Sequence, residues 1–563
     1  MAEHESKIKK LVVNEFGEDP LKINELPLKR VPDYMRGKGG IWFWTGAMIS
    51  IAFLYQVVTG LILLLYYNPA DAYNSTEYII NNVPYGALIS ATHLYGAYAM
   101  IVLVYIHMYR NYFHAAYKKP RQIQWILGVI LLALTLGVAF FGYSMPGDVL
   151  AYDATNVGRG IAGSIPMLGN TLVAIVFGNG TTTSLFQRML GLHIILAGLI
   201  GLLFGLHFYL AESNNMMPGL REAGYKAPAV EKDDSKYREW YPYNFAFMIQ
   251  LSLFVIGFII LIPSVIALLP NVPTLFSPFP SVSPSSPLAA YVPPYPPWFL
   301  LMIYKAVDFF NFTGQYSYLN AYGPLIANTV FGGIPLLYFI IVPFIDRSKD
   351  LHPLSRPIIT SFGILGIIYM AILSAWGALT PGVPIPPTTV AMVLVPPFVV
   401  VVVGMMVLSR LYKEQKLTVT SEKLLGSFVI FAAILVFALV TFAQNISAFL
   451  YHTSALNLVS TIFTGGVTMF AAVGTMKSAD KYTEMENSPQ NKKERPVRKP
   501  VGMNPTTASI VSAVLVVISL LILVLIAQLN PITGAMTFGV GIGIDLIIAG
   551  IVLRIYRLTY YHE

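Results

Sequence analysis

Four of the nine histidines in this chain form two pairs with the same spacing. His93 and His107 are fourteen residues apart, and so are His193 and His207. Fourteen residues of an α-helix turn through about 1400°, about 40° short of four turns, and rise about 21 Å. Both histidines of a pair therefore face one side of a helix, one near each surface of a membrane. Imidazoles arranged in this way are suited to binding metals.

The composition predicts that the helices carrying these histidines lie in a membrane. Of the 563 residues, 55% are hydrophobic and 11% are charged, whereas soluble domains have about 25% charged residues. Apolar runs of about 20 residues span a bilayer as helices, because lipid offers the backbone no hydrogen-bond partner. We predict an all-α integral membrane protein with about twelve transmembrane helices. The predicted spans are 41–67, 86–113, 123–144, 188–211, 243–269, 324–345, 357–380, 389–411, 424–449, 455–475, 507–528 and 535–556.

The order of the spans sets which histidines lie at the same depth. The second and fourth spans run in the same direction, so their outer histidines are level with each other, and so are their inner ones. Facing imidazoles in a bundle core are typical axial ligands of haem iron. We predict that His93 and His193 bind an outer haem iron, and that His107 and His207 bind an inner one, within a bundle of the first four spans. A buried, hydrogen-bonded side chain is the alternative for any single histidine, and zinc would need further ligands.

Glycines and arginines near these histidines are consistent with haem. Helices beside a wide, flat porphyrin must lack side chains where it passes, although glycine also favours plain helix packing in membranes. Arginine pairs well with the propionate groups of a haem, and an alternative for Arg110 is an ordinary anchor at the inner membrane surface. The predicted cofactor-binding residues besides the histidines are Gly46, Gly60, Gly128 and Gly142, again in pairs fourteen apart, with Arg110 and Arg188.

The basic residues predict the orientation. Of the 36 lysines and arginines, 33 fall in the N-terminal segment, in alternate junctions between spans, and at the C-terminus. Basic residues concentrate on the cytoplasmic side of membrane proteins, so we expect both termini in the cytoplasm of a cell whose plasma membrane holds the protein. This bias accounts for the net charge of +8, and no nucleic-acid partner is needed to explain it.

Short motifs in residues 35–411 resemble those of the cytochrome b family of the cytochrome bc and b6f complexes. The histidine spacing is the most specific of them, and the others follow in the family's order. Arg188 lies five residues before His193, as the family's arginine does. The other matching segments are Gln56–Gly60, His93–Ala97, His107–Arg110, Gly142–Pro146, Gly163–Gly169, Ser213–Asn215, Pro343–Arg347 and His352–Pro353.

The resemblance implies a cytochrome b-like subunit of a respiratory complex that oxidises membrane quinol. It implies two non-covalent haems, of b-type or haem A-type, that carry one electron across the bilayer. The other electron would go to a Rieske iron–sulfur protein, which must be a separate partner because this chain has no cysteine. A terminal oxidase or another respiratory subunit would receive the electrons. The outer loops have little charge, which favours an acidophilic archaeal host.

Departures from the family pattern concern the quinol sites. The family's outer P-E-W-Y motif is Pro296-Pro297-Trp298-Phe299 here, so proline replaces a glutamate assigned to proton exit. We predict Pro296, Trp298, Tyr143 and Asp308 at the outer quinol site, with Tyr143 and Asp308 as substitute proton carriers; the alternative for Asp308 is an ion pair with Lys305. An arginine expected near the first histidine and two expected inner-site residues are also replaced. Their positions hold Ser90, Ala211 and Met248, and the weaker inner-site candidates are Glu212, Ser213 and Asp234.

The chain divides into four predicted parts. These are a cytoplasmic segment at 1–40, the dihaem bundle at 41–211, further cytochrome b-like helices at 212–411 and a membrane extension at 412–563. The third part contains segment 270–297, whose ten prolines and lack of charge predict packing on the outer face. The altered quinol sites leave a rival function, a dihaem electron conduit without its own bifurcating site. A transporter is a rival of another class, but it would not need paired histidines.

Overall fold

The computed structural model describes residues 40–214, most of 217–228, 240–414 except 311 and 313, short stretches between 434 and 475, and 503–561. Within these ranges the regular structure is helical, and the only β-type pairing is an isolated bridge between Lys226 and Asp350. Numbered in chain order, the α-helices are α1 Thr45–Leu64, α2 Ala72–Asn82, α3 Gly86–Phe113, α4 Gln122–Ser144, α5 Val149–Gly163, α6 Gly169–Phe177, α7 Thr182–Ser213, α8 Phe245–Ala267, α9 Leu301–Val307, α10 Gly323–Asn328, α11 Ile334–Ile345, α12 Pro357–Leu379, α13 Pro387–Lys413, α14 Pro505–Ile526 and α15 Ala535–Tyr556.

The prediction of an all-α membrane protein is confirmed. Ten helical segments of the described residues are long and apolar enough to cross a membrane, and each overlaps one predicted span. Of the other two predicted spans, 424–449 lies mainly outside the described residues and 455–475 is described only in short stretches, so the total of about twelve stays a prediction. The segments are Gly40–Leu64, Gly86–Phe113, Gln122–Ser144, Thr182–Ser213, Trp240–Ala267, Gly314–Ile345, Pro357–Leu379, Pro387–Lys413, Pro505–Ile526 and Ala535–Tyr561.

The helices that carry the four histidines and four glycines form one bundle. Helix α1 packs on α3, α4 packs on α7, and α3 also contacts α4. The start of α3 is fixed by a close approach to α2, because a Cβ on Gly86 would lie 1.9 Å from the carbonyl oxygen of Ile79. Only glycine fits such a contact. Helix α7 begins earlier than its predicted span, because the Thr181 side chain caps it by accepting a hydrogen bond from the Ser184 amide at 3.3 Å.

The proline-rich segment 270–297 packs on the protein, as predicted. The Ser281 amide donates to Asp148 Oδ2 at 2.6 Å, and the Val149 amide donates to the Val282 carbonyl at 3.0 Å. The Tyr73 hydroxyl donates to the Ser281 carbonyl at 3.3 Å. These bonds hold the segment against α2 and the start of α5, and satisfy backbone groups that lipid would leave without partners.

A buried ion network joins the loop after α3 to the loop after α11. Asp346 Oδ1 lies 2.9 Å from Lys118 Nζ, and Asp346 Oδ2 accepts from the Tyr117 hydroxyl at 2.7 Å. Arg356 Nη1 lies 3.4 Å from the same Oδ2. The side chains of these three charged residues are at most 5% exposed. The network therefore ties the histidine bundle to the helices that follow it.

The last helix, α15, lies directly against α8. A Cβ on Gly543 would lie 2.9 Å from the backbone of Leu261, and one on Gly257 would lie 3.1 Å from the carbonyl oxygen of Gly543. Small residues allow transmembrane helices to approach this closely. The end of the predicted membrane extension is thus packed onto the helices of the preceding part, and Asp545 lies on the same helix, 8% exposed.

Candidate functional site

The outer histidines face each other across the bundle. His93 on α3 and His193 on α7 have ring centroids 6.3 Å apart, with their planes inclined at 63°. Bonds from imidazole nitrogen to a metal such as zinc are about 2.0–2.1 Å long, so this separation suits one metal ion between the two ring edges. The structure therefore brings together the two residues that the sequence placed at one level.

Each outer imidazole has one nitrogen fixed by a hydrogen bond. His193 Nδ1 lies 2.8 Å from the Val138 carbonyl, which can only accept, so Nδ1 carries the proton. His93 Nδ1 lies 2.9 Å from Thr59 Oγ1, whose own proton goes to the Tyr55 carbonyl at 2.8 Å. His93 Nδ1 is therefore also the donor. Both rings leave the lone pair on Nε2 for a metal, the usual arrangement of ligating histidines.

The inner histidines repeat this arrangement in part. His107 Nδ1 lies 2.9 Å from Thr45 Oγ1. His207 Nδ1 is buried near the backbone of Gln124, without a hydrogen bond of good geometry to any described residue. The Asn111 amide nitrogen lies 3.1 Å from His107 Nε2, so it stands at the nitrogen that a metal would use.

The four predicted glycines each contact one of the four histidines. A Cβ on Gly142 would lie 2.8 Å from Cε1 of His193, and one on Gly60 would lie 3.1 Å from Cε1 of His93. A Cβ on Gly128 would lie 3.2 Å from Cε1 of His207, and one on Gly46 would lie 3.4 Å from Cε1 of His107. The side chains closest to these glycines are thus imidazole rings. Each ring rests in a backbone cradle that a larger residue would fill.

The surroundings of the histidines fit haem better than zinc. Within the described residues, no group of three or more His, Cys, Asp or Glu side chains could hold a metal ion. Zinc requires three or four such ligands, whereas a porphyrin supplies four nitrogens itself and needs only two axial ligands from the protein. Two histidine pairs in glycine cradles, the outer one with both Nε2 atoms free, are a donor set that fits such a group.

The two predicted arginines have protein partners in this structure. Arg110 lies over the ring of Phe43, 4.2 Å from its centroid, and donates to Asn111 Oδ1 at 2.8 Å. Arg188 donates to the Ile175 carbonyl at 3.1 Å and to Ser184 Oγ at 2.6 Å. Arg188 therefore ties the end of α6 to α7. Its pairing with a haem propionate, like that of Arg110, stays a prediction.

Pro296 and Asp308, two of the predicted outer-site residues, line one cavity of about 160 Å³. Trp298 contacts Tyr98 edge to face, with centroids 5.7 Å apart, and the Tyr143 hydroxyl lies 3.4 Å from the Tyr295 carbonyl. Tyr295 also lines the cavity, so Tyr143 borders it. The lining also contains Asp153 and Tyr304, which the sequence analysis did not single out.

The predicted inner-site candidates do not form a comparable cluster among the described residues. The Ser213 hydroxyl donates to the Tyr209 carbonyl one turn earlier, at 2.8 Å. Met248 packs against the core formed by Trp44, Ile51, Phe247 and Leu251. Asp234 lies outside the described residues.

Comparison with known proteins gives the family. Residues 98–284 match the family model described as "Cytochrome b(N-terminal)/b6/petB". The chain is 42% identical to "Cytochrome b" of Sulfolobus acidocaldarius over 396 residues, covering 68% of each chain. The chain belongs to the cytochrome b family. It is also 32% identical over 360 residues to "Cytochrome bc complex cytochrome b subunit" of Chlorobaculum thiosulfatiphilum, covering 62% of this chain and 76% of that one.

A solved structure supports the fold of this cytochrome b family member. The chain aligns with a chain of a "Hyperthermophilic respiratory Complex III" at a TM-score of 0.50 and 22% identity, over 72% of this chain and 97% of the other. The family implies haem b as cofactor and electron transfer as the role. The resemblance predicted from the motifs is therefore confirmed.

Thr45 and Thr59 are site residues whose role the sequence analysis missed. They precede Gly46 and Gly60, so they share the fourteen-residue spacing. Their hydroxyls orient His107 and His93 respectively. The spacing was the available signal, but threonine in an apolar helix usually bonds its own backbone, so the sequence favoured no role in the site.

Replacing Thr59 with valine is expected to weaken the outer haem site selectively. The Nδ1–H of His93 would lose its acceptor, and loss of such a partner typically lowers metal affinity about 10–100-fold. Loss of haem from purified variants, followed by absorbance during dilution, measures the effect. Thr45→Val is the matched variant, because it should act on the inner haem alone. Equal losses at both haems in either variant would contradict the assignment.

Proposed function

We propose that this chain is the cytochrome b subunit of a respiratory complex that oxidises membrane quinol, and that it holds two haems. His93 and His193 would hold the outer haem, and His107 and His207 the inner one. The facing outer pair, with both Nε2 atoms left for a metal, is the observation that carries this proposal, and the inner pair repeats its spacing. When bound, the haems supply two one-electron redox centres.

The protein's own residues would orient the imidazoles and admit quinol. Thr59, Thr45 and Val138 hold the Nδ1 atoms, and the glycines keep the rings close to the neighbouring helices. We assign the quinol to the cavity lined by Pro296 and Asp308 and bordered by Tyr143, with Trp298 on the adjoining turn. Its lining is mainly apolar, as expected of a site for a lipid-soluble ring.

The partners follow from what this chain lacks and from its relatives. A chain without cysteine cannot supply the cluster ligands of a Rieske protein, so we assign the iron–sulfur acceptor to a separate subunit, with a terminal oxidase or another carrier downstream. The relative named as a bc complex subunit supports such an assembly. The positive-inside bias supports a plasma-membrane location with cytoplasmic termini.

A dihaem conduit without its own quinol-oxidising site is the second candidate. Pro297, which has no titratable group, favours it, since proton transfer needs such a group near the quinol. The two functions differ in one property of the isolated complex: only the first requires that quinol reduces the outer haem without a dehydrogenase.

The proposal predicts two low-spin haems per chain. A dithionite-reduced minus oxidised spectrum of the purified protein, with extraction and counting of the haem, tests it. Two haems per chain support the four-histidine arrangement, and the position of their absorption bands distinguishes b-type from A-type macrocycles. A colourless protein purified from a host that makes haem would overturn the proposal.

A further inference from the structure

The cavity assigned to quinol contains five side chains that bear a titratable group. Most of its wall is apolar, from residues such as Val157, Pro294 and Leu301. Four of the five come from two helices that meet there: Asp153 belongs to α5, and Tyr304, Lys305 and Asp308 come from α9 and its C-cap. The fifth, Tyr295, lies in the proline-rich segment before α9. A quinol bound in this cavity has to deliver its protons to one of these groups or to water.

Asp308 forms an ion pair with Lys305. Its Oδ2 lies 3.0 Å from Lys305 Nζ, and the lysine side chain is fully buried. Lys305 Nζ also donates to the Thr380 and Val383 carbonyls, at 2.8 and 3.1 Å. Protonation of Asp308 would leave a buried ammonium without its counter-charge, which is strongly unfavourable. The ion pair that is the alternative for Asp308 is therefore present, and protonation of Asp308 would break it.

Tyr304 is held by the helix opposite. Its hydroxyl donates to the carbonyl of Ala154, the residue directly after Asp153, at 3.1 Å. A neutral tyrosine whose proton is already donated is not a base near neutral pH. Tyr304 thus fixes α9 against α5, and its side chain and that of Asp153 line the same cavity.

The Asp153 carboxylate has no such partner among the residues that the structure describes. Its side chain is half-buried, and no hydrogen bond or ion pair to any residue that the structure describes involves its carboxylate. It can take up a proton without breaking an existing contact. Burial raises the pKa of the Asp153 carboxyl above its ordinary value, which increases its proton affinity in the cavity.

We propose that Asp153 accepts the proton that a quinol hydroxyl releases in this cavity, in place of the glutamate that Pro297 replaces. In this step the quinol O–H bond breaks, its electron pair stays on the quinol oxygen, and an O–H bond forms on the carboxylate. The inference rests on the proposed function, because it assumes that quinol binds here. The groups near Asp153 are Asp148 at the N-cap of its helix and Tyr143 at the end of α4. The other groups in the cavity wall are Tyr295 of the proline-rich segment, and Tyr304, Lys305 and Asp308 on the α9 side.

The test compares Asp153→Asn with Asp153→Glu in the intact complex. The substrate is the reduced quinol extracted from the host's own membranes, and the initial rate of haem reduction is followed against pH. As a base, Asp153 works when ionised, so the wild-type rate should fall as pH drops through its raised pKa. This fall in rate at low pH is the acid limb of the profile. Asp153→Asn should be about 10²-fold slower and should lose the acid limb, since general base catalysis typically contributes that much or more. Asp153→Glu should retain most of the rate.

Two further variants serve as controls. Asp71→Asn removes an exposed carboxylate of the outer side that, among the described residues, accepts only from Asn74, and it should leave the rate and its pH profile unchanged. Asp308→Asn should lower the yield of folded complex, because Lys305 loses its partner, while the molecules that fold keep the acid limb.

An infrared titration adds a readout independent of turnover: the wild type should gain a protonated-carboxyl band on acidification that Asp153→Asn lacks.

The outcomes separate this inference from the function beneath it. A wild-type complex with both haems that its quinol cannot reduce would overturn both. A wild type that is reduced, together with an Asp153→Asn variant of the same rate and acid limb, would overturn the role of Asp153 alone. An acid limb that disappears in Asp308→Asn instead would transfer the role to Asp308 and overturn this inference.

Discussion

Replacing His193 with alanine is expected to remove the outer haem and leave the inner one bound. The variant deletes one of the two proposed axial ligands of that haem, whose ring faces His93 across the bundle. The inner pair lies about 21 Å further along the helices, so its ligands are untouched. Haem counting and a potentiometric titration of the purified variant should show one haem per chain and one midpoint potential in place of two.

His207→Ala is the matched control for this experiment. It should have the opposite effect, leaving the outer haem alone. Because the lost imidazole leaves a space beside Gly142, free imidazole added to His193→Ala should restore part of the missing haem signal. A variant that keeps its fold and the inner haem, yet still binds two haems, would show that His193 is not an iron ligand.

Replacing Asp346 with asparagine is expected to destabilise the protein by about 3–5 kcal/mol, the usual cost of removing one partner from a buried ion network. Lys118 and Arg356 would keep their charges, with side chains only 5% and 2% exposed. Since the network joins the bundle to the later helices, part of this loss should appear as separation of α11 and α12 from α3. Denaturation of the protein in detergent, monitored by tryptophan fluorescence, measures the change.

The same network predicts an acid-labile contribution to stability. Burial by itself raises the pKa of the Asp346 carboxyl, but hydrogen bonds from Tyr117 and Lys118 and the charge of Arg356 outweigh it, and the net pKa is lowered. A lowered folded pKa means that the stabilisation is present above the unfolded value of about 3.9 and is lost as pH falls through the folded value. The wild type should therefore lose stability below about pH 4, and Asp346→Asn should lose less.

Asp350→Asn is the control for this prediction. Asp350 lies on the same loop, but its ion pair with Lys226 is exposed, with side chains 36% and 65% accessible. Exposed pairs contribute about 0–1 kcal/mol. A loss in Asp350→Asn as large as in Asp346→Asn would indicate that the loop, and not the buried charge, matters.

The sequence missed the short helices on the outer side. Helices α2, α5 and α6 have 11, 15 and 9 residues, too few for a membrane span. Their apolar residues face the protein on one side only, so a search for uniform apolar runs passes over them. They matter for the proposed function, because α5 supplies Asp153 to the cavity and its N-cap Asp148 holds the proline-rich segment.

The sequence by itself determined the membrane helices, the histidine pairs and the family. Apolar length fixes a membrane span whatever its neighbours are, and the 3.6-residue period fixes which side of one helix His93 and His107 share. Tertiary structure alone decided which groups meet across different helices. The contacts between Thr59 and His93, between Val138 and His193 and between Tyr117 and Asp346, and the cavity between Asp153 and Asp308, join residues 34 to 229 positions apart. No local pattern encodes such contacts, because they depend on how each helix is rotated and packed against the next.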